Sequence, residues 1–580
     1  MAAFPWLRHY DDGVPHSLRP YPERTLLDSL AEAVAEAPDR PAIRFKGAAV
    51  SHARLDRESD AFAAALAELG VRKGDRVALL LPNCPQFVIA QLGAWKAGAI
   101  VAPLNPLYTD RELQEALTRT RPLTIVVLNR FYDQVRRIQS TTTIHRIIAT
   151  GIKDYLPPAL RLLYSVARER KDGERIRLRG EDRRFTELLR RHRGAARPAV
   201  EILPDDPALL LMSGGTTGTP KAVAGLHRSL VASGMQLRTW LSPVLTPWDD
   251  TMLLPLPLFH VYGNAGALSF ALVGHNPLIL VPNARDMDDL VATVRRTRPS
   301  FLVGVPALFN ALVEHPDVRS GKVDLGSIRG CFSGASPLLA ESKRRFEEET
   351  GGVIIEGYSL SEAMMACCAN PVRGTNKVGS VGVPLPDVAL RIVDPDDPTV
   401  ELSRGEVGEI LLAGPQIMAG YWEDPEETAG ALAILPDGSR WLRTGDLGRV
   451  DDDDYLFIVD RKKDLIKVSG LQVWPREVEE AIATHPAVAE VGVVGIPHPR
   501  KGEVPKAWVV LRSDTAASPE EIREHCRRSL APFKTPAEVE ICAELPRTMV
   551  GKVLRRELRT RAAAATPPVA SGPVEAPQAR

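Results

Sequence analysis

The sequence predicts an α/β protein: a large layered N-terminal domain with a small β-rich subdomain, followed by a smaller C-terminal α/β domain. Three observations lead there. From Asp75 onward, short apolar runs such as RVALLL and TIVVL alternate with longer helical stretches such as PQFVIAQLGAWKAGA, the rhythm of strand and helix layers. Farther along, GEVGEILLAG, WLRTGDLGRV and DDDDYLFIV read as strands separated by close turn signals, which describes a mainly antiparallel subdomain. Beyond DRKKDLIKVSG the elements become short and mixed, with REVEEAIATH as a helix, VAEVGVVGI as a strand and EEIREHCRRSL as another helix.

Composition bounds what such a chain does. At 580 residues and 44% hydrophobic content, several units with buried cores are expected. Its 73 basic residues balance 73 acidic ones, so no global field draws nucleic acid, and none is expected as a partner. The six cysteines contain neither a CxxC pair nor the density of a disulfide scaffold, which points to a reducing, cytoplasmic compartment. The start, MAAFPWLRHYDDG, lacks the basic and apolar blocks of a leader, and no apolar run is long enough to span a bilayer. One stretch departs from the balance. Residues 156–197 include RERKDGERIRLRGEDRR, and Leu160, Leu162, Leu163 and Tyr164 lie just before those charges. It reads either as a solvated surface excursion or as a patch facing anionic lipid at the inner face of the membrane. The last segment, residues 562–580, is rich in Ala and Pro with almost no large apolar residues and is expected to be a disordered tail.

The densest chemical signal is SGGTTGTPKAV at residues 213–223, directly after the apolar strand ALLLM. Gly214, Gly215 and Gly218 let backbone amides turn towards an anion, Thr216, Thr217 and Thr219 add hydroxyl donors, and Lys221 adds charge. This is a phosphate cradle. It is not a Walker loop, because Thr219 and Pro220 separate Gly218 from Lys221.

That loop resembles the phosphate loop of the acyl-adenylate-forming superfamily. Further segments follow in the order that superfamily shows: SGASPL at 333–338, EGYSLSE at 356–362, WLRTGD at 441–446, DRKKDLIKVSG at 460–470 and PRTMVGK at 546–552. NPLYTDREL at 105–113 and GVPALFNAL at 304–312 look specifically like bacterial long-chain fatty-acid–CoA ligases. The resemblance implies two α/β sheets in a large AMP-binding domain over residues 1–459, a hinge at 460–464 and a mobile small domain over 465–561. It also implies ATP, CoA and Mg²⁺ as cofactors, a fatty acid as substrate, and no obligate protein partner.

Residue by residue, the resemblance assigns Glu362 to Mg²⁺, a task suited to a hard oxygen ligand. Ser361 goes to the α-phosphate, and Asp446 with Arg461 to the ribose. Gly334, Ala335, Glu356, Gly357 and Tyr358 frame the adenine. Lys552 is the catalytic lysine that stabilises charge growing during adenylation. Lys463 is the hinge pivot, and Lys467, Gly470 and Gln472 line the passage for CoA. His260, in PLPLFHVYGNAGAL, is the gate between acyl pocket and thiol channel, with Gly263, Ala265, Gly266 and Ala267 leaving room for an apolar tail. An aryl-acid ligase of the coumarate type, and a fatty-acyl-AMP ligase loading a carrier protein, are alternatives using the same chemistry.

Overall fold

A computed structural model describes residues 4–213, 220–335, 338, 340–512, 515–548 and 552–565. The chain divides into two compact units, one of Met1–Thr444 with Gly448–Ile458, the other of Gly445–Leu447 with Val459–Arg580.

The large unit is built on three sheets. In the eight-stranded sheet, Arg76–Leu80, Ile100–Pro103, Thr124–Leu128 and Arg146–Thr150 run parallel to one another. These are the near-continuous apolar runs of the sequence, as expected for strands covered on both faces. The same sheet ends in an antiparallel pair, Pro207–Ser213 with Lys221–Leu226, to which Gly420–Tyr421 is added. The nine-stranded sheet has a parallel centre that includes Met252–Leu254, Phe301–Gly304, Gly330–Ser333 and Val353–Tyr358. One continuous core, from Val77 and Val101 to Leu253 and Leu302, joins the two sheets. Between these layers helix Pro85–Lys96 is buried at every position, which explains why its sequence is apolar all round. Even Lys96 is buried, its ammonium lying 2.6 Å from Asp56 and 2.7 Å from Asp60. The third sheet holds five strands, Ala389–Val393, Gly408–Ala413, Leu432–Ile434, Arg440–Val450 and Leu456–Arg461. It is the β-rich subdomain.

The basic excursion is ordered into helix Pro158–Ala167, a two-residue edge strand and helix Phe185–Arg191.

The small unit has its own five-stranded sheet around Val488–His498 and Gly502–Leu511. Alternation splits its core. Val493 and Val509 pack on one face with Val478, Ile482 and Ile522, whereas Val494 and Trp508 pack on the other with Leu545 and Leu558. Gly492 is needed there, because a Cβ would fall 2.9 Å from Leu558. The last helix runs from Arg555 to Ala565. It passes the boundary at Arg561 beyond which disorder was expected: the alanines that lack large apolar groups are also the best helix formers. The stretch 566–580 lies outside the described residues.

Candidate active site

The phosphate-loop residues Gly214, Gly215, Thr216, Thr217, Gly218 and Thr219 lie outside the described residues; Lys221, which opens the strand Lys221–Leu226, does not. Lys221 pairs with Glu427 on helix Pro425–Ala431, and its ammonium sits 5.1 Å above the Tyr421 ring. The Tyr421 hydroxyl donates to Glu362 Oε1 at 2.9 Å. One tyrosine thus ties Lys221 and Glu362 into a single cluster. Burial first, and the Glu362 charge next, push the Tyr421 hydroxyl pKa well above its ordinary value, so it remains a donor.

Glu362 and Ser361 form a single turn, Ser361–Ala363, directly followed by Met364 at φ +43° and Met365 at φ +91°. Left-handed backbone is unfavourable for such side chains and must be held by its surroundings. Ser233 does so, donating to the Met364 carbonyl at 2.6 Å, as does the Met418 amide, 2.8 Å from the Glu362 carbonyl.

Gly334 and Ala335 follow the strand Gly330–Ser333, while Glu356, Gly357 and Tyr358 end the parallel neighbour Val353–Tyr358, with Ser333 opposite Glu356. All five therefore gather at the carboxyl ends of parallel strands, the usual crevice of an open α/β sheet. Gly357 has a packing duty as well: a Cβ would fall 2.4 Å from the Phe332 ring.

His260 is half-buried, and its Nδ1 lies 3.3 Å from the Tyr262 amide, which makes Nδ1 the acceptor and leaves Nε2 for the proton. Its segment is fixed by groups the sequence reading passed over. Asn83 Nδ2 donates to the Leu254 and Leu256 carbonyls at 3.0 and 2.8 Å, and Asn83 Oδ1 accepts from the Leu258 amide at 2.8 Å. Asn264 and Gln91 exchange two buried hydrogen bonds of 2.8 Å. Two of the small residues beyond His260, Gly263 and Gly266, do not leave the room expected of them. A Cβ on Gly263 would lie 2.2 Å from the Pro257 carbonyl oxygen, and one on Gly266 would lie 2.7 Å from Met365, so both glycines serve close packing of a fully buried π-helical turn, Tyr262–Leu268.

In the small unit, Arg461 Nε lies 2.9 Å from Asp446 Oδ1, and the Asp446 side chain is 7% exposed. The guanidinium orients a carboxylate that keeps two acceptor oxygens. Lys552 is tied to Thr548: the Thr548 amide donates to the Lys552 carbonyl at 2.8 Å and the Lys552 amide to Thr548 Oγ1 at 3.1 Å. Desolvation of its ammonium, then the positive charge of Arg461, lower its pKa to about 8. Because the residue as a whole is exposed, the direction of that shift carries the chemistry. Lys463, in the turn Lys462–Asp464, is likewise shifted down, by desolvation and then by Arg461. Lys467 stands directly across from Gln472 in a hairpin turned by Ser469 at φ +51° and Gly470 at φ +85°, a pair of left-handed residues suited to a two-residue turn. Lys467, Gly470 and Gln472, the residues expected to line the CoA passage, are all exposed.

Behind these groups lies a network not foreseen from sequence. Arg555, three positions after Lys552, reaches Asp460 at 2.7 Å, Asp464 at 3.4 Å and Glu479 at 2.8 Å, while Arg559 reaches Asp464 at 2.7 Å. It joins the segment around Lys463 to the base of the last helix.

The sequence pattern of the family described as "AMP-binding enzyme" matches residues 30–422, and that of "AMP-binding enzyme C-terminal domain" matches residues 477–552. A long-chain-fatty-acid–CoA ligase of Bacillus subtilis (strain 168) is 37% identical over 556 residues, covering 96% of this chain and 97% of its own. 4-Coumarate–CoA ligase 2 of Oryza sativa subsp. japonica is 35% identical over 538 residues, covering 91% of each chain. The crystal structure of ATP-bound MatB from Rhodopseudomonas palustris superposes with a TM-score of 0.79 at 29% identity, covering 93% of this chain and 99% of that one. With the first pattern spanning most of its length, and relatives matched from end to end, the chain belongs to the AMP-binding enzyme family.

Proposed function

We propose that the chain activates a long-chain fatty acid with ATP as an acyl-adenylate and passes the acyl group to coenzyme A, releasing AMP and pyrophosphate. The observation that carries the activating half is the Lys221–Tyr421–Glu362 cluster, a cation beside a hard oxygen donor. Two anions must meet in that step, so charge neutralisation and alignment are the enzyme's main task. A substrate carboxylate oxygen attacks the α-phosphorus and the bond to pyrophosphate breaks. The CoA sulfur then attacks the acyl carbon, the C–O bond to AMP breaks, and the thiol proton passes to solvent.

In this reading Lys221 and the loop Gly214–Thr219 hold phosphates, and Ser361 donates to the α-phosphate. Glu362 fits Mg²⁺, being a half-buried carboxylate with one oxygen already oriented by Tyr421; the ion supplies charge neutralisation at the phosphates. Asp446 and Arg461 take the ribose, and the crevice from Gly334 to Tyr358 takes the adenine. Lys552, protonated, stabilises the charge of the adenylation transition state. Lys463 is the pivot between the two half-reactions, Lys467, Gly470 and Gln472 line the CoA passage, and His260 gates it. The enzyme works in the cytoplasm, with peripheral contact at the inner face of the membrane.

The acid is assigned on the B. subtilis relative, which the chain matches over nearly its whole length. An aryl acid is the second reading, favoured by the similar match to the rice coumarate ligase. CoA-dependent AMP release, measured with ATP and Mg²⁺ over acids from acetate to palmitate and with coumarate, separates them. The expected maximum lies at long alkyl chains; no CoA-dependent AMP with any acid would overturn the proposal.

A further inference from the structure

Helix Pro158–Ala167 is turned opposite to the rule for surface helices. Ala159, Leu162, Leu163 and Val166 recur at the spacing that forms one apolar stripe, which on an ordinary surface helix faces the core. Here no residue of the helix is buried, and Leu162, Leu163 and Val166 are 69%, 62% and 83% exposed. Three adjacent apolar side chains held in water on one face mark an interaction surface. The helix is nevertheless fixed in place, because Lys153 bridges its C-terminal end through Glu169 at 2.7 Å.

The charges beside the stripe are one-sided. Arg168, Arg170, Lys171, Arg175 and Arg177 are exposed. Of the nearby acids, Glu169 is engaged by Lys153, Asp172 is half-buried and hydrogen-bonded by the Tyr164 hydroxyl, and Glu174 is buried, its carboxyl pushed up to about 7 chiefly by desolvation. An apolar face flanked by free basic side chains is complementary to a surface with acyl chains beneath anionic headgroups.

We propose that this face docks on an anionic phospholipid bilayer, with Leu162, Leu163 and Val166 entering the acyl boundary and the segment Arg168–Arg177 lying on the headgroups. The proposal rests on the peripheral placement given above and names the surface responsible for it. It is independent of the acid, so its failure leaves the ATP- and CoA-dependent chemistry untouched.

The test is co-sedimentation of the full chain with vesicles of phosphatidylcholine alone and of equal parts phosphatidylcholine and phosphatidylglycerol. Binding is expected on the anionic vesicles and to weaken with salt. Leu162→Glu with Val166→Glu should reduce it at least tenfold. Arg170→Glu with Lys171→Glu should reduce it roughly 25-fold, from about fivefold per basic side chain near an anionic surface. Both variants should retain acyl-CoA synthesis from octanoate, which shows that they fold. Failure of the unsubstituted chain to bind, equal binding to both vesicle types, or undiminished binding by the Leu162 and Val166 variant would overturn the proposal. So would self-association or capture of an acidic protein that the substitutions abolish without any vesicle binding, since that would assign the face to a protein.

Discussion

Replacing Arg555 by methionine removes one cation shared by three carboxylates. Its Nη1 lies 2.7 Å from Asp460 and its Nη2 lies 2.9 and 2.8 Å from the two Glu479 oxygens. The Asp460 and Asp464 side chains are only 2% and 8% exposed, so water cannot replace the lost partner. Other donors remain: Arg559 on Asp464 at 2.7 Å, the Arg461 and Arg476 amides on Asp460 at 2.7 and 2.8 Å, and the Val493 amide on Glu479 at 2.8 Å. Breaking a buried pair from one side costs about 3–5 kcal/mol, and these donors place the loss near the lower end, about 3 kcal/mol. At about 4 °C per kcal/mol for a unit of this size, the small unit should unfold roughly 12 °C lower. Scanning calorimetry of the whole chain reads this as a separate shift of one transition. The Glu479 carboxyl, already held above its ordinary value by desolvation, loses the Arg555 charge that opposes that rise, so its pKa in the folded state climbs further. The penalty of its charge is full above that value and fades as pH falls through it, so the deficit should narrow on acidification. Adding Glu479→Leu should recover part of the loss by removing a stranded charge. A transition within a degree of the parent's near neutral pH, or a deficit that widens on acidification, would refute the reasoning.

Lys552→Ala should slow adenylation by roughly two to three orders of magnitude, read as pyrophosphate release, the scale of losing one key donor to a developing charge. Since the Lys552 pKa is lowered from the ordinary lysine range and the residue acts as a cation, kcat/KM for adenylation should fall as pH rises through that lowered pKa; Lys552→Arg should move the limb upward. Lys463→Pro should spare adenylate formation and suppress thioester formation, and equal loss of both would contradict a hinge. Tyr421→Phe keeps the ring beneath Lys221 but deletes the hydrogen bond to Glu362; the Mg²⁺ requirement should rise about tenfold, as for a hydrogen bond to a charged group.

What the sequence discloses and what it hides follow from the range of each interaction. RVALL and TIVVL read as strands because strands buried on both faces carry their signal in consecutive residues. Motifs such as EGYSLSE are equally local. Tyr421 is invisible in this sense, because it reaches Lys221 and Glu362 through pairing of Gly420–Tyr421 with the strand Lys221–Leu226, a contact no window contains. Arg555 is hidden for the same reason, as its partners Asp460 and Asp464 lie some ninety positions earlier in the chain and Glu479 lies on helix Pro475–Ala483. Gly263 and Gly266 mislead in the other direction. A small residue signals close approach, but only the fold says whether the space belongs to a ligand or to Pro257 and Met365.

The Asp446–Arg461 pair has a consequence for anyone recombining these proteins. The small unit includes Gly445–Leu447, which precede the rest of that unit in the chain and are separated from it by Gly448–Ile458. A gene fusion cut at residue 459 therefore leaves Asp446 with the donor of the large unit and Arg461 with the donor of the small one. Unless both parents bring compatible residues to these positions, the chimera joins two well-folded parts with a mismatched carboxylate and guanidinium. Moving Gly445–Leu447 together with the small unit keeps the pair in one lineage and makes the exchange a fair test of which unit chooses the substrate.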